Sequence, residues 1–208
     1  MQKTVSDIIS MDWFNYMNYL SGYDKVINYS WKKSTLSIAE RREIKATLQQ
    51  IDDITGISFV KTKKKDDDLR FVYTDEITDS TRLEVDHKDN EINDAVVGRA
   101  SARENRIKIF VKDDDNVVDL LEKYVLRHEI GHALGLGHPR GEGANPDFDV
   151  EDTIMSYNVF HSLGGMRFFR YLGFTDLDKQ ALQHLWGLNP QAFSMDSVIV
   201  PQDIVEVI

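Results

Sequence analysis

Apolar residues recur along this chain with a period that changes several times, and each change marks an element. Between Asp7 and Leu20 the apolar positions Ile9, Trp13, Met17 and Leu20 fall on one helical stripe, which predicts a helix over 7–20 with Asp7 as its cap. Ser21 and Gly22 break that pattern, and Val26–Trp31 (VINYSW) alternates as a strand does. Ser37-Ile38-Ala39-Glu40 reads as a capping box. The helix it opens carries Ile44, Leu48 and Ile51 on its buried side and stops before Gly56. Gly56–Lys61 and Leu69–Tyr73 follow as second and third strands, and a strand, crossover helix and strand imply parallel pairing with a right-handed connection.

The charge block Lys61–Asp68 between those strands reads as a solvated turn. Residues 74–93 are polar and without period, so they read as loop; His87 there is expected at the surface, with Asp86 and Asp89 open to a structural calcium ion. Ala95–Ser101 and Arg106–Val111 predict an antiparallel pair. Asp113-Asp114-Asp115-Asn116 is expected to cap a helix from about Val117 to Leu134, held to the sheet by Val118, Leu121, Val125, Ala133 and Leu134. After His138 the chain turns irregular and rich in Gly, Pro and Asp. The aromatic stretch 158–174 offers Phe160, Phe168, Phe169 and Tyr171, either as an apolar pocket or as core. A last helix, capped by Thr175 and ended by Gly187, buries Leu177, Ala181, Leu182 and Leu185 and leaves His184 at the surface; residues 191–208 form a tail with a strand-like end.

The chemistry lies in His128–His138, HEIGHALGLGH. Residues four apart share one helix face, so His128 and His132 can present their imidazoles to one metal ion with Glu129 beside them. His138, six residues on, can join only if the helix stops and the chain swings back. Gly135 is placed for that turn, because glycine adopts the left-handed backbone without steric cost. Three imidazoles, an open fourth position and an adjacent carboxylate describe a catalytic zinc site rather than a closed structural one.

The spacing His-Glu-x-x-His-x-x-Gly-x-x-His resembles the metzincin metallopeptidases, and Thr153-Ile154-Met155-Ser156-Tyr157 resembles their Met-turn. Pro139 after the third histidine, Met-Ser-Tyr, and a closing helix at Asp178–Gly187 make the chain look most like a serralysin catalytic domain over residues 7–190. The resemblance implies an α+β, metzincin-type zincin fold: a twisted mixed five-stranded sheet with two long helices in an upper lobe to about residue 138, and a smaller, mostly irregular and helical lower lobe over 139–190. It further implies a secreted zinc endopeptidase with Glu129 as general base and Tyr157 as an extra zinc ligand that swings away to stabilise the oxyanion. Met155 would form an apolar floor beneath the metal, and an extended peptide would add to the sheet edge at Ala95–Ser101. The glycine-rich calcium-binding repeats that continue serralysins are absent from this sequence. Two rivals are a peptidase of another metzincin subgroup, which Pro139 and the lack of cysteine disfavour, and an inactive peptide-binding module, which an intact Glu129 disfavours.

Composition narrows the picture further. A chain of 208 residues with 41% hydrophobic content can bury one ordinary core. It has no cysteine, so neither a disulfide nor a cysteine-to-zinc latency device is available. A net charge of −10 disfavours nucleic acid as a partner, and no stretch approaches a membrane span in length. A soluble monomer acting on protein or peptide is the expectation.

Overall fold

The computed structural model of the chain describes residues 2–63, 66–75, 77, 97–103, 105–113, 118–158, 173–187 and 204–207. Strand β1 (Val26–Trp31) lies between β2 (Ser58–Lys61) and β3 (Leu69–Thr74); next to β3 come β5 (Arg106–Lys112), β4 (Gly98–Arg103) and β6 (Ile204–Val207). The pairs β1–β2, β1–β3 and β3–β5 are parallel, and β4 runs antiparallel to both β5 and β6. The parallel β1–β2 pair follows from the crossover helix α2 (Ile38–Thr55) between them. Helix α3 (Leu120–Ala133) packs on β4 and β5 and touches α1 (Met11–Leu20) and α2, while α4 (Asp176–Gly187) lies against α2.

Alternation sets the sheet's buried face. In β5, Ile107, Ile109 and Val111 are wholly buried while their neighbours are partly exposed. Ile44, Leu48 and Ile51 of α2, Trp13 and Met17 of α1, and Ala181, Leu182 and Leu185 of α4 join them in one core, as the helical stripes require. Burying each large apolar side chain contributes roughly 1.5–3 kcal/mol. This core fixes α3 on three sides, and α3 carries the histidines.

The α+β class and the five expected strands are all present, but a sixth strand joins the sheet. Ile204–Val207, read from sequence as part of a tail, pairs with β4 and covers the edge expected to be free. Helix ends differ too. The Ser37–Glu40 capping box forms in both directions and Gly56 closes α2 with a left-handed φ of 70°. Asp7, however, caps a short turn at Val5–Asp7 by accepting from Thr4 N at 2.7 Å, and Ser10 precedes α1. Asp119, not the Asp113–Asn116 run, caps α3, accepting from Glu122 N at 2.8 Å. Asp113 is still tied to the sheet, its N–H donating to the Thr74 carbonyl at 2.8 Å, so the helix starts later. Leu121 in the first turn is consequently 42% exposed; Val125, Ala133 and Leu134 are buried as expected, and Tyr124, Leu126 and Ile130 join them.

The charge block is not merely a solvated turn. Asp67 is buried and accepts from Ser30 Oγ (2.6 Å), Arg70 Nε and Nη2 (2.6 Å each) and Arg106 Nη1 (2.7 Å). A carboxylate survives burial only with such compensation, and this one ties β1, β3 and β5 together.

Candidate metal centre

Helix α3 delivers His128 and His132 one turn apart, both wholly buried. Gly135, at φ 102°, ends the helix, and a Cβ there would lie 2.8 Å from Phe14 Cβ and 2.9 Å from Leu185 Cδ1. Both its backbone and its close packing therefore require glycine. The chain turns back through Leu136, which bridges to Ile9, and brings His138 onto the other two rings. Ring centroids are 4.7 Å apart for His132–His138 and 5.5 Å for His128–His138. One ligand atom from each histidine lies within 4.8 Å of the others, and among the described residues no other cluster of metal-ligating side chains does this.

The tautomers can be read from the neighbours. His128 Nδ1 lies 2.8 Å from the Ile154 carbonyl and His132 Nδ1 lies 3.0 Å from the Leu136 carbonyl. A carbonyl only accepts, so each Nδ1 carries the hydrogen and each Nε2 presents a lone pair. Those two Nε2 atoms are 3.0 Å apart. Two lone pairs so close and buried repel unless a cation lies between them, so the donor set fits a metal that imidazole ligates. Burial pushes the His128 pKa down to about 3, aided by His138 and opposed by the Ile154 hydrogen bond. His132 is driven well below its ordinary value by burial and then by its two neighbours, and burial brings His138 down to about 4. All three rings are therefore neutral near pH 7 and ready to ligate.

Glu129 is wholly buried and lies against the start of β4: a Cβ on Gly98 would be 2.8 Å from its Oε1. A glycine inside a strand signals such a close approach, and that signal was present in the sequence. On the far side, the turn through Met155 supports the histidines. Asp178, buried in α4, accepts from Thr153 Oγ1 (2.5 Å), Ile154 N (3.0 Å) and Thr175 N (2.8 Å). Tyr124 donates to the Ser156 carbonyl at 2.6 Å. Ile154 is thus held by its N–H while its carbonyl orients His128. Met155 packs against α3 where Gly131 leaves room; a Cβ on Gly131 would be 2.8 Å from Met155 Sδ. The Tyr157 ring lies 4.6 Å from that of His138 and 5.6 Å from that of His128, centroid to centroid. Trp13 stacks on His132 from the N-terminal side at 6.1 Å. A cavity of about 360 Å³, lined by Ser10, Asp12, Gly137, Gly141 and His138 among others, opens beside the third histidine.

The three histidines and the Tyr157 ring therefore converge, while Gly135 makes the turn, Glu129 follows His128 along α3 with its carboxylate beside Gly98, and Met155 packs at Gly131. The supporting Asp178, Tyr124 and Trp13 carry no sequence signal that separates them from ordinary core residues. His184 is exposed on α4, as expected. His87, Asp86, Asp89, Phe160, His161, Phe168, Phe169 and Tyr171 lie outside the described residues. No described helix is long and apolar enough to cross a membrane.

The family model described as matrixin matches residues 23–146. Over 89 residues the chain is 42% identical to Serralysin C of Dickeya chrysanthemi, a match covering 36% of this chain and 18% of that protein. The chain thus spans less than a fifth of the length of that relative. The solved structure of myroilysin aligns with 79% of this chain and 93% of its own at 15% identity and a TM-score of 0.48.

Proposed function

With 23–146 of its 208 residues matched, the chain belongs to the matrixin family, and from that premise we propose that it is a zinc-dependent endopeptidase of serralysin-like type. The observation that carries this reading is the pair of buried Nε2 lone pairs 3.0 Å apart, with Glu129 next along the same helix. His128, His132 and His138 would hold the ion through neutral imidazoles. When bound, zinc supplies Lewis acidity and brings the pKa of a water it holds to about 7.

Glu129 takes the proton of the attacking water on its carboxylate and returns it to the leaving amine nitrogen, which keeps proton traffic within one side chain. Tyr157, ring against His138, would donate its hydroxyl to the oxygen that gains charge, and that hydroxyl would be a further ligand before substrate binds. The turn at Met155 acts as a Met-turn, an apolar floor under the histidines. Substrate is a protein or peptide, bound as an extended strand along β4 beside Glu129. The serralysin likeness also supports action outside the cell as a monomer. The carboxylates of Asp86 and Asp89 are oxygen ligands of the kind a structural calcium ion would take.

The deciding experiment is Glu129→Gln. Metal content by atomic absorption stays at the wild-type level while hydrolysis of casein falls about 10²- to 10⁴-fold, the usual worth of a positioned base. Casein hydrolysis at the wild-type rate in that variant overturns the assignment. Saturable peptide capture without cleavage by the zinc-loaded wild type would favour a binding module instead.

A further inference from the structure

Strand β6 lies antiparallel along β4, with Ile204 opposite Ala102, Val205 opposite Ser101, Glu206 opposite Ala100 and Val207 opposite Arg99. Among the described residues it is the outermost strand, and without it β4 would be the sheet's edge. The first residue of β4 is Gly98, and a Cβ on it would lie 2.8 Å from Glu129 Oε1. β6 therefore advances toward Glu129 as it runs from Ile204 to Val207. The backbone N–H and C=O groups of β4 that face outward are the ones an added peptide strand needs, and each can pair with one strand at a time.

We propose that Ile204–Val207 occupies the groove that holds an extended peptide substrate, so that the chain inhibits itself until β6 is displaced. The proposal rests on the peptidase reading for β4 as the substrate edge and for the consequence, whereas the pairing of β6 with β4 does not. A segment tethered to its own groove meets it at an effective concentration on the order of 1 mM. With a Kd of about 0.1 mM for so short a strand, the groove is filled about nine-tenths of the time, and turnover falls about tenfold. Suppression of this size is readily relieved by a tighter substrate or by removal of the segment.

The chain has no cysteine, so a lock can be introduced cleanly. Residues directly opposite in an antiparallel pair have Cα atoms about 4.5–5.5 Å apart, within disulfide range, so Ser101→Cys with Val205→Cys pins β6 to β4. Zinc-loaded full-length protein is compared in its oxidised form, the cross-link verified by mass, and in its form reduced with a non-chelating phosphine. Two readouts are taken: casein hydrolysis, and fluorescence anisotropy of a labelled synthetic peptide of residues 200–208. The locked form is expected to lose about tenfold or more in both relative to the reduced form. A second variant of the whole chain, Val205→Pro, gains about tenfold in hydrolysis, is inhibited again by the free peptide, and loses exchange protection at those alternate Arg99–Ala102 amides that face β6 while the ones bonded to β5 keep it. Equal peptide capture by locked and reduced forms, or none by the reduced form, overturns the inference. If capture switches as stated while no form cleaves casein, the groove assignment stands and the peptidase reading fails. If all forms cleave equally, the reverse holds.

Discussion

Gly143 offers a steric probe of Tyr157 that substitutes none of the histidines. Its carbonyl accepts from Tyr157 N at 2.7 Å, and a Cβ added to it would lie 2.7 Å from Tyr157 Cζ and nearer still to Cδ2 and Cε2. Gly143 is not among the positive-φ glycines, so alanine meets no backbone strain and acts through contact alone. Carbon atoms need about 3.5–4.0 Å, so the ring must retreat by about 1 Å or more. Overpacking of this kind costs about 1–3 kcal/mol, which for a chain of this size lowers Tm by roughly 2–12 °C. A shift of about 1 Å in a group that stabilises developing charge costs on the order of 10²-fold in kcat. The Ile154 and Leu136 carbonyls still orient His128 and His132, so two of the three histidine ligands keep their hydrogen-bonded support. Steady-state kinetics on a quenched peptide should show Gly143→Ala slowed about 100-fold in kcat with a smaller change in KM. The Gly143→Ala/Tyr157→Phe double variant should be no slower than Tyr157→Phe alone, since both act through one hydroxyl. An unchanged kcat in Gly143→Ala, or losses that multiply in the double variant, would refute this role for Tyr157.

Two further outcomes follow from buried carboxylates. Asp178→Ala strands two buried donors and a half-buried one, so it should cost about 3 kcal/mol and lower Tm by roughly 6–12 °C. Because Asp178 holds the residue whose carbonyl orients His128, zinc affinity by chelator competition should also fall about 10- to 100-fold; unchanged affinity would show that the Ile154 contact does not need Asp178. Glu122 is pushed up to about 8 from an ordinary value of 4.5, chiefly by burial and then by the charges of Asp113, Asp119 and Glu40. Between those values the folded chain keeps a proton that the unfolded chain releases, so this group's contribution to stability declines as pH rises from about 4.5 to about 8. Glu122→Gln removes that slope: its Tm should exceed the wild-type value at pH 8 and approach it near pH 5, and a constant difference across the range would contradict the shift.

Much of this protein is local and therefore legible in order along the chain. The Ser37–Glu40 box, Gly56, the β1 alternation and the His128–His132 spacing each depend on contacts within a few residues, which propensity and period encode directly. Even His138 was legible, because Gly135 announces the turn that brings it back. Gly98 lies in the strand read from Ala95–Ser101, but only packing shows that Glu129 approaches it.

Tertiary structure alone decided the rest, because it joins residues far apart in sequence. Asp67 sits in a run of like and unlike charges that locally says solvent, yet Ser30 and Arg106 arrive from other strands and make its burial affordable. Asp178 could be any acidic residue in a helix's first turn until α4 is set against the loop at Thr153 and Ile154. The placement of Ile204–Val207 on β4 is the clearest case. Alternating residues specify a strand, but which edge has unpaired hydrogen-bonding groups to receive it is a property of the assembled sheet.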